Sequence, residues 1–193
     1  MLDFELTALL NFLLNFISEF NYLEPFFLSQ CLIAIAIVFD FFSFQFKQRE
    51  KIVACLFAAG LLITAHFVLL EQWTAVALMS IATLRYLSSI WTTSKVMMWF
   101  FSSCSVIATA FTFVGLTSLI SCIGTLFQTR ASFCDSDKTL RQLMLVGTSF
   151  WLIHNYLVGS PGAVLMEVLF ISSNLIGYYR HYIKVDKSSL PIT

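Results

Sequence analysis

The sequence is poor in charged residues. Of its 193 residues only 11% are Asp, Glu, Lys or Arg, and the 11 acidic side chains balance the 11 basic ones. Charged residues make up about a quarter of a typical soluble domain. A soluble domain of this length is therefore excluded, and so is a nucleic-acid partner, which would need a concentrated basic face.

Motifs that carry enzyme chemistry are also missing. There is no GxSxG or HExxH, and neither half holds paired carboxylates, so nucleophile-elbow and zincin chemistry lack their residues. No CxxC or HxxxH occurs, and the five cysteines are odd in number, which favours reduced packing residues over disulfides or metal ligands. They are Cys31, Cys55, Cys104, Cys122 and Cys134. We expect no enzyme activity, no cofactor and no resident metal. The amino terminus also lacks the basic region and cleavage site of a signal peptide.

Apolar residues dominate what is present. They make up 59% of the chain, and the mean hydropathy is +0.85, so the natural solvent is a lipid bilayer. Seven apolar segments each approach the roughly 20 residues that cross a hydrocarbon core of about 30 Å. The expected fold is all-α, a polytopic bundle of seven transmembrane helices in one domain over 25–183. The segments are 26–46, 52–70, 73–91, 96–114, 116–132, 140–158 and 162–180.

Residues 1–24 differ from these segments in carrying polar side chains at helical spacing. The polar positions are Asp3, Thr7, Asn11, Asn15 and Ser18. This pattern is typical of an amphipathic helix that lies in the membrane interface. The stretch is also long enough to span, and the sequence leaves both arrangements open.

Basic residues cluster in alternate loops. The clusters are Lys47, Arg49 and Lys51; Lys95; Arg130, Lys138 and Arg141; and Arg180, Lys184 and Lys187. The intervening turns near Glu71, Gly115 and Gly159 carry none. By the positive-inside rule the amino terminus is periplasmic, and the tail 184–193 is cytoplasmic.

The chain contains a weak internal repeat. A shift of 88 residues places His66 on His154 and Ala75 on Ala163. It also superposes repeat one, 26–91, on repeat two, 116–180, with 96–114 as a linker helix between them. Because the linker is a single helix, both repeats have the same orientation. The pattern predicts parallel repeats related by an axis along the membrane normal.

Two phrases, AHFVLLEQWTA and WLIHNYLVGSPGAVLMEVLFISSNLIGYYR, resemble the YgjV family of bacterial inner-membrane proteins, and the likeness covers nearly all of the chain after residue 25. The resemblance implies a bacterial inner membrane and brings no established activity. The layout is similar, more distantly, to SWEET and PQ-loop transporters. The sequence departs from them in having no Pro-Gln motif, and Asn174 aligns with Tyr86 rather than with a second asparagine.

Asp40 and Arg85 are charged residues inside apolar segments. A charge at mid-membrane costs on the order of 2.5 to 3.5 kcal/mol on insertion scales, so a partner is expected. Asp40 and Arg85 lie at similar predicted depth, and we expect an ion pair that faces the bundle interior. A purely structural pair, or an Arg85 that snorkels to the headgroups, is the alternative.

His66, His154 and Glu167 are expected near the outer end of the bundle. Such a set is suited to a proton relay, because His titrates near neutral pH and a carboxylate can orient its ring. Hydrogen-bonded packing is the simpler interpretation, and a transition-metal site lacks chelating spacing.

Asn174, Trp151 and Asn155 are the candidate substrate-binding residues. An amide can bind polar groups of a solute and an indole can stack on a ring, although an amide can equally hold two helices together. The leading hypothesis is a transporter of a small polar solute. A membrane scaffold that stabilises a partner is the alternative, and association with further copies of the chain is left open.

Overall fold

The computed structural model describes residues 24–42, 49–89, 91–92, 94–134, 136–179 and 182, and in these ranges it contains seven helices and no strand. The all-α prediction is confirmed there. The helices are α1 Glu24–Phe42, α2 Arg49–Leu69, α3 Trp73–Ser89, α4 Lys95–Phe111, α5 Leu116–Ser132, α6 Asp137–Leu157 and α7 Pro161–Tyr178. The predictions for 1–23 and for the tail 184–193 fall outside the described residues.

Serine side chains begin three of the helices. The hydroxyl oxygens of Ser94, Ser136 and Ser160 accept backbone N–H groups in the first turns of α4, α6 and α7. Each bond satisfies one of the N–H groups that a helix start leaves without a partner. Pro161 follows at the first position of α7, where its missing N–H costs nothing.

Two tight turns join α2 to α3 and α6 to α7. Glu71 and Gly159 each have a positive φ, 56° and 70°, which closes the turn. Ser160 follows the second turn, and its Oγ lies 3.1 Å from Nε2 of His66 in the first hairpin. The two turns therefore lie at one end of the bundle, which we call the turn end.

Small and apolar side chains fill the core. Ile33, Ala36, Phe67, Leu78 and Trp151 are buried together. The outward surface is also apolar. Exposed side chains include Phe27, Phe41, Ile107, Phe111, Leu165 and Ile176. Among the described residues, α1 and α7 are long and apolar enough to cross a membrane by length and composition.

Specific contacts fix which helices are neighbours. α1 packs beside α7, where the Gly162 N–H donates to Oε1 of Gln30 at 2.9 Å. α3 meets α5 through Thr74 and Ser118, whose hydroxyls are 2.8 Å apart. α4 packs on α3 and α5. The remaining helices surround a central space that α4 does not reach.

Candidate binding cavity

A cavity of about 530 Å³ lies among α1, α2, α3, α5, α6 and α7. This volume is within the roughly 300 to 1,000 Å³ of small-molecule sites. The wall combines polar groups with Trp151, Phe170 and three methionines. The polar lining residues are Asp40, Tyr86, Gln128, Arg141, Thr148, Glu167, Ser173 and Asn174.

Two of the three candidate substrate residues lie on this wall. Trp151 and Asn174 both line the cavity. The side-chain Nδ2 of Asn174 also donates to the Arg141 carbonyl at 2.9 Å, so it ties α7 to α6 as well. Asn155 is not a lining residue. It is buried, and its Nδ2 lies 3.4 Å from Oε1 of Glu167.

The structure gives Asp40 and Arg85 different surroundings. Asp40 lies on α1 in the cavity wall. The fully buried Arg85 faces α5, where its Nη1 donates to Oγ1 of Thr129 at 2.7 Å and more weakly to the Thr125 carbonyl at 3.5 Å. The Asp40–Arg85 ion pair stays a prediction.

His66 and His154 occupy matching positions. Nδ1 of His66 donates to the Ser29 carbonyl at 2.9 Å, and Nδ1 of His154 donates to the Thr117 carbonyl at 3.1 Å. A carbonyl only accepts, so the proton is on Nδ1 in both rings. Their contacts join the hairpins to neighbouring helices. The proton relay with Glu167 stays a prediction.

Four rings close the cavity toward the turn end. His66, Phe67, Trp151 and His154 pack with centroid separations between 5.1 and 5.8 Å. We call this group the ring layer. All four side chains are buried, so the layer separates the cavity from the turns.

At the other end the cavity reaches the start of α6. Leu140 and Arg141, in its first turns, belong to the wall. Arg141, Gln128 and Thr148 also line the cavity and were not predicted as site residues. A signal was available for Gln128 and Thr148, because a polar residue within an apolar helix needs a partner or a cavity.

Hydroxyl groups form a second polar feature, on one face of α5. Ser118, Ser121, Thr125 and Thr129 recur at spacings of three and four residues and are all buried. The hydroxyls of Ser121 and Thr129 donate to carbonyls within α5, and the Ser118 hydroxyl shares a hydrogen bond with that of Thr74. This face binds Arg85 and packs α5 into the bundle. Across the described ranges no three His, Cys, Asp or Glu side chains come together as a metal site.

Helices with apolar outer faces around buried charged and amide side chains define a helical membrane protein. The chain belongs to the Imp-YgjV family, described as a bacterial inner membrane protein, which matches residues 27–184. A curated relative is the inner membrane protein YgjV of Escherichia coli strain K12, with 27% identity over 160 residues, 83% of this chain and 87% of the relative. No solved structure matches the chain. The family resemblance and the bacterial inner membrane are thereby confirmed.

Proposed function

We propose that this inner-membrane protein is multi-pass and moves a small polar solute through the central cavity, by rocking of two three-helix units. The observation that carries the proposal is the lining of the cavity. Its wall takes residues from α1, α2 and α3 and from α5, α6 and α7, and none from α4. A pathway between two repeats needs walls from both.

The repeat itself is supported by matching contacts 88 residues apart. The bond from His66 to Ser29 recurs as the bond from His154 to Thr117, and both residues of the second bond lie 88 positions after those of the first. The positive φ values of Glu71 and Gly159 obey it as well. Unrelated hairpins would have no reason to share these features, so we infer that α1–α3 and α5–α7 are parallel copies with α4 as linker.

The orientation follows from the basic residues. Lys95, Arg130 and Lys138 lie at the end of the bundle opposite the turns, and basic loops favour the cytoplasm. The proposed arrangement has the turn end in the periplasm. The cavity, closed by the ring layer on that side, is then reached from the cytoplasm.

A ligand panel tests the proposal. Purified protein in detergent is heated with sugars, nucleosides, vitamins and amino acids, and the unfolding temperature is recorded. A ligand at a hundred times its dissociation constant stabilises the native state by about 2.7 kcal/mol. We expect one solute class to raise the unfolding temperature and the same class to cross the membrane of proteoliposomes.

Two variants locate the binding. Asn174→Ala removes a lining amide, and we expect it to abolish the shift. Ser172→Ala is the matched control, because Ser172 is exposed on the outer side of α7 and is absent from the cavity wall. A broad panel without any shift or flux would contradict transport.

A membrane scaffold is the alternative function. It predicts that buried polar side chains pair off completely and leave no cavity. The volume of about 530 Å³ supports the transport proposal instead.

A further inference from the structure

Arg141 and Glu167 are separated along the length of the cavity wall. The Asn174 bond to the Arg141 carbonyl puts the Arg141 backbone level with Asn174. A Cβ placed on Gly177 would lie 2.5 Å from Nη1 of Arg141, so the guanidinium points away from the turn end. Gly177 is ten residues beyond Glu167 on α7, about 15 Å at 1.5 Å per residue. The cation and Glu167 therefore occupy opposite ends of the cavity.

Glu167 lies at the deep end, near the ring layer. Its side chain is 7% exposed and belongs to the cavity wall. The hydrogen bond it receives, from Nδ2 of Asn155, is long at 3.4 Å. A second carboxyl, that of Asp40, lies on α1 in the same wall. Among the described lining residues Arg141 is the one Lys or Arg, and it lies at the end of the wall opposite Glu167.

Two buried acceptor atoms lie on α6, one on Asn155, whose Nδ2 contacts Glu167, and one on the adjacent His154. Oδ1 of Asn155 and Nε2 of His154 are buried, and neither has a hydrogen-bond partner within the described residues. Because Nδ1 of His154 donates to the Thr117 carbonyl, Nε2 keeps its lone pair. Buried polar groups are normally satisfied, but both side chains lie outside the cavity wall, so a ligand in the cavity contacts the Glu167 carboxyl and not these two atoms.

Apolar and aromatic side chains share the cavity wall with this carboxyl. Trp151, Ile63, Met79 and Met166 are lining residues of the same cavity. An indole face attracts a cation held above it, and thioether side chains adapt to apolar bodies of varied shape. The surroundings match a molecule with one charged nitrogen and a hydrocarbon or aromatic body.

We propose that the solute is a small organic cation, whose ammonium group pairs with Glu167 and whose apolar body packs against Trp151 and the methionines. The inference rests on the proposed function, since it names the substrate class of the same cavity. Glu167 repels an anionic group from the deep position, and Arg141, which would attract one, lies at the opposite end of the cavity.

Three probes of nearly equal size test the charge. Benzylamine is a cation at neutral pH, benzyl alcohol is neutral and benzoate is an anion, and all three carry one phenyl ring. Trp151 is 3% exposed, whereas Trp73, Trp91 and Trp99 are 54%, 77% and 67% exposed. Replacing these three by Phe leaves Trp151 as the fluorescent reporter of binding in detergent.

We expect benzylamine to quench Trp151 with a dissociation constant at least about tenfold below that of benzyl alcohol, as a charge-assisted hydrogen bond allows. Benzoate should be weakest. Glu167→Gln keeps the shape of the side chain and should bring benzylamine to the affinity of benzyl alcohol, with benzyl alcohol unchanged. The matched control, Glu71→Gln, removes a carboxyl in the exposed turn and should change neither.

The outcomes separate this inference from the proposed function. Equal or tighter binding of benzyl alcohol or benzoate overturns the organic cation and leaves transport standing. Unchanged affinities of all three probes in Glu167→Gln also overturn it. Absence of binding by all three in the parent protein overturns the inference, and the solute panel with its flux assay then decides transport separately. If Glu167→Gln does not fold, the ranking of the probes in the parent protein decides.

Discussion

At the scale of single residues, the structure is defined by buried polar side chains and the partners they find. Arg85 is fully buried, and its Nε and Nη2 have no hydrogen-bond partner in the described part of the chain. The bond from Nη1 to Oγ1 of Thr129, at 2.7 Å, is its shortest hydrogen bond, and the Tyr86 ring centroid lies 5.1 Å from the guanidinium carbon. Removing the acceptor leaves more of a buried charge unsatisfied.

Thr129→Val tests this contact, because valine keeps the shape and removes the hydroxyl. We expect a loss of about 1 to 3 kcal/mol in the free energy of unfolding, seen as a lower unfolding temperature in detergent. Thr64→Val is the control, since the Thr64 hydroxyl donates to the Gly60 carbonyl of its own helix. Equal losses in the two variants would mean that Arg85 gains nothing from Thr129.

The sequence identified Arg85 as a residue that needs a partner, but it could not say on which helix. Predicted depth favoured Asp40, because both residues belong to one predicted repeat. The contact with α5 depends on how α3 and α5 pack, and no local pattern carries that information. The hydroxyls of Ser118, Thr125 and Thr129 did give a signal, because their spacing puts them on one face of a helix.

At the scale of elements, close helix packing depends on glycine at one crossing. A Cβ on Gly124 of α5 would lie 3.0 Å from the Gly147 carbonyl oxygen on α6 and 3.0 Å from Cδ1 of Trp151. The first neighbour is backbone and cannot move aside alone. Small residues at such crossings allow helices to approach closely in membranes.

Gly124→Ala should push α5 and α6 apart and displace Trp151 from the cavity wall. We expect a loss of about 1 to 3 kcal/mol from overpacking and a red-shifted Trp151 emission in the variant with the other tryptophans replaced. Ile123→Ala is the adjacent control, because Ile123 faces outward. An unchanged Trp151 spectrum in Gly124→Ala would argue against the tight crossing.

The elements themselves were largely predictable, since each described helix falls on one apolar segment. The differences lie at helix ends and have a physical cause. α6 was predicted from residue 140 but begins at Asp137, because Ser136 caps a polar first turn that a hydropathy window omits. The ring layer was not predicted. It needs Phe67 to contact both Trp151 and His154, which are distant in sequence.

At the scale of the whole molecule, the two ends of the bundle differ. The ring layer closes the cavity on the side of Glu71 and Gly159, and Leu140 and Arg141 belong to its wall on the other side. The direction from which a solute enters therefore depends on which end faces the cytoplasm. The basic residues favour the end opposite the turns.

Cysteine labelling tests this orientation in intact cells that express the protein. In a variant whose five cysteines are replaced by Ala, Glu71→Cys and Lys138→Cys each put one thiol at an exposed site, at opposite ends of the bundle. We expect a membrane-impermeant maleimide to label Glu71→Cys in intact cells and Lys138→Cys only after lysis. That result would put the ring layer on the periplasmic side, so that a solute in this conformation reaches Glu167 from the cytoplasm. The reverse labelling would contradict the positive-inside prediction and make the same cavity open to the periplasm, which suits uptake of a cation rather than its export.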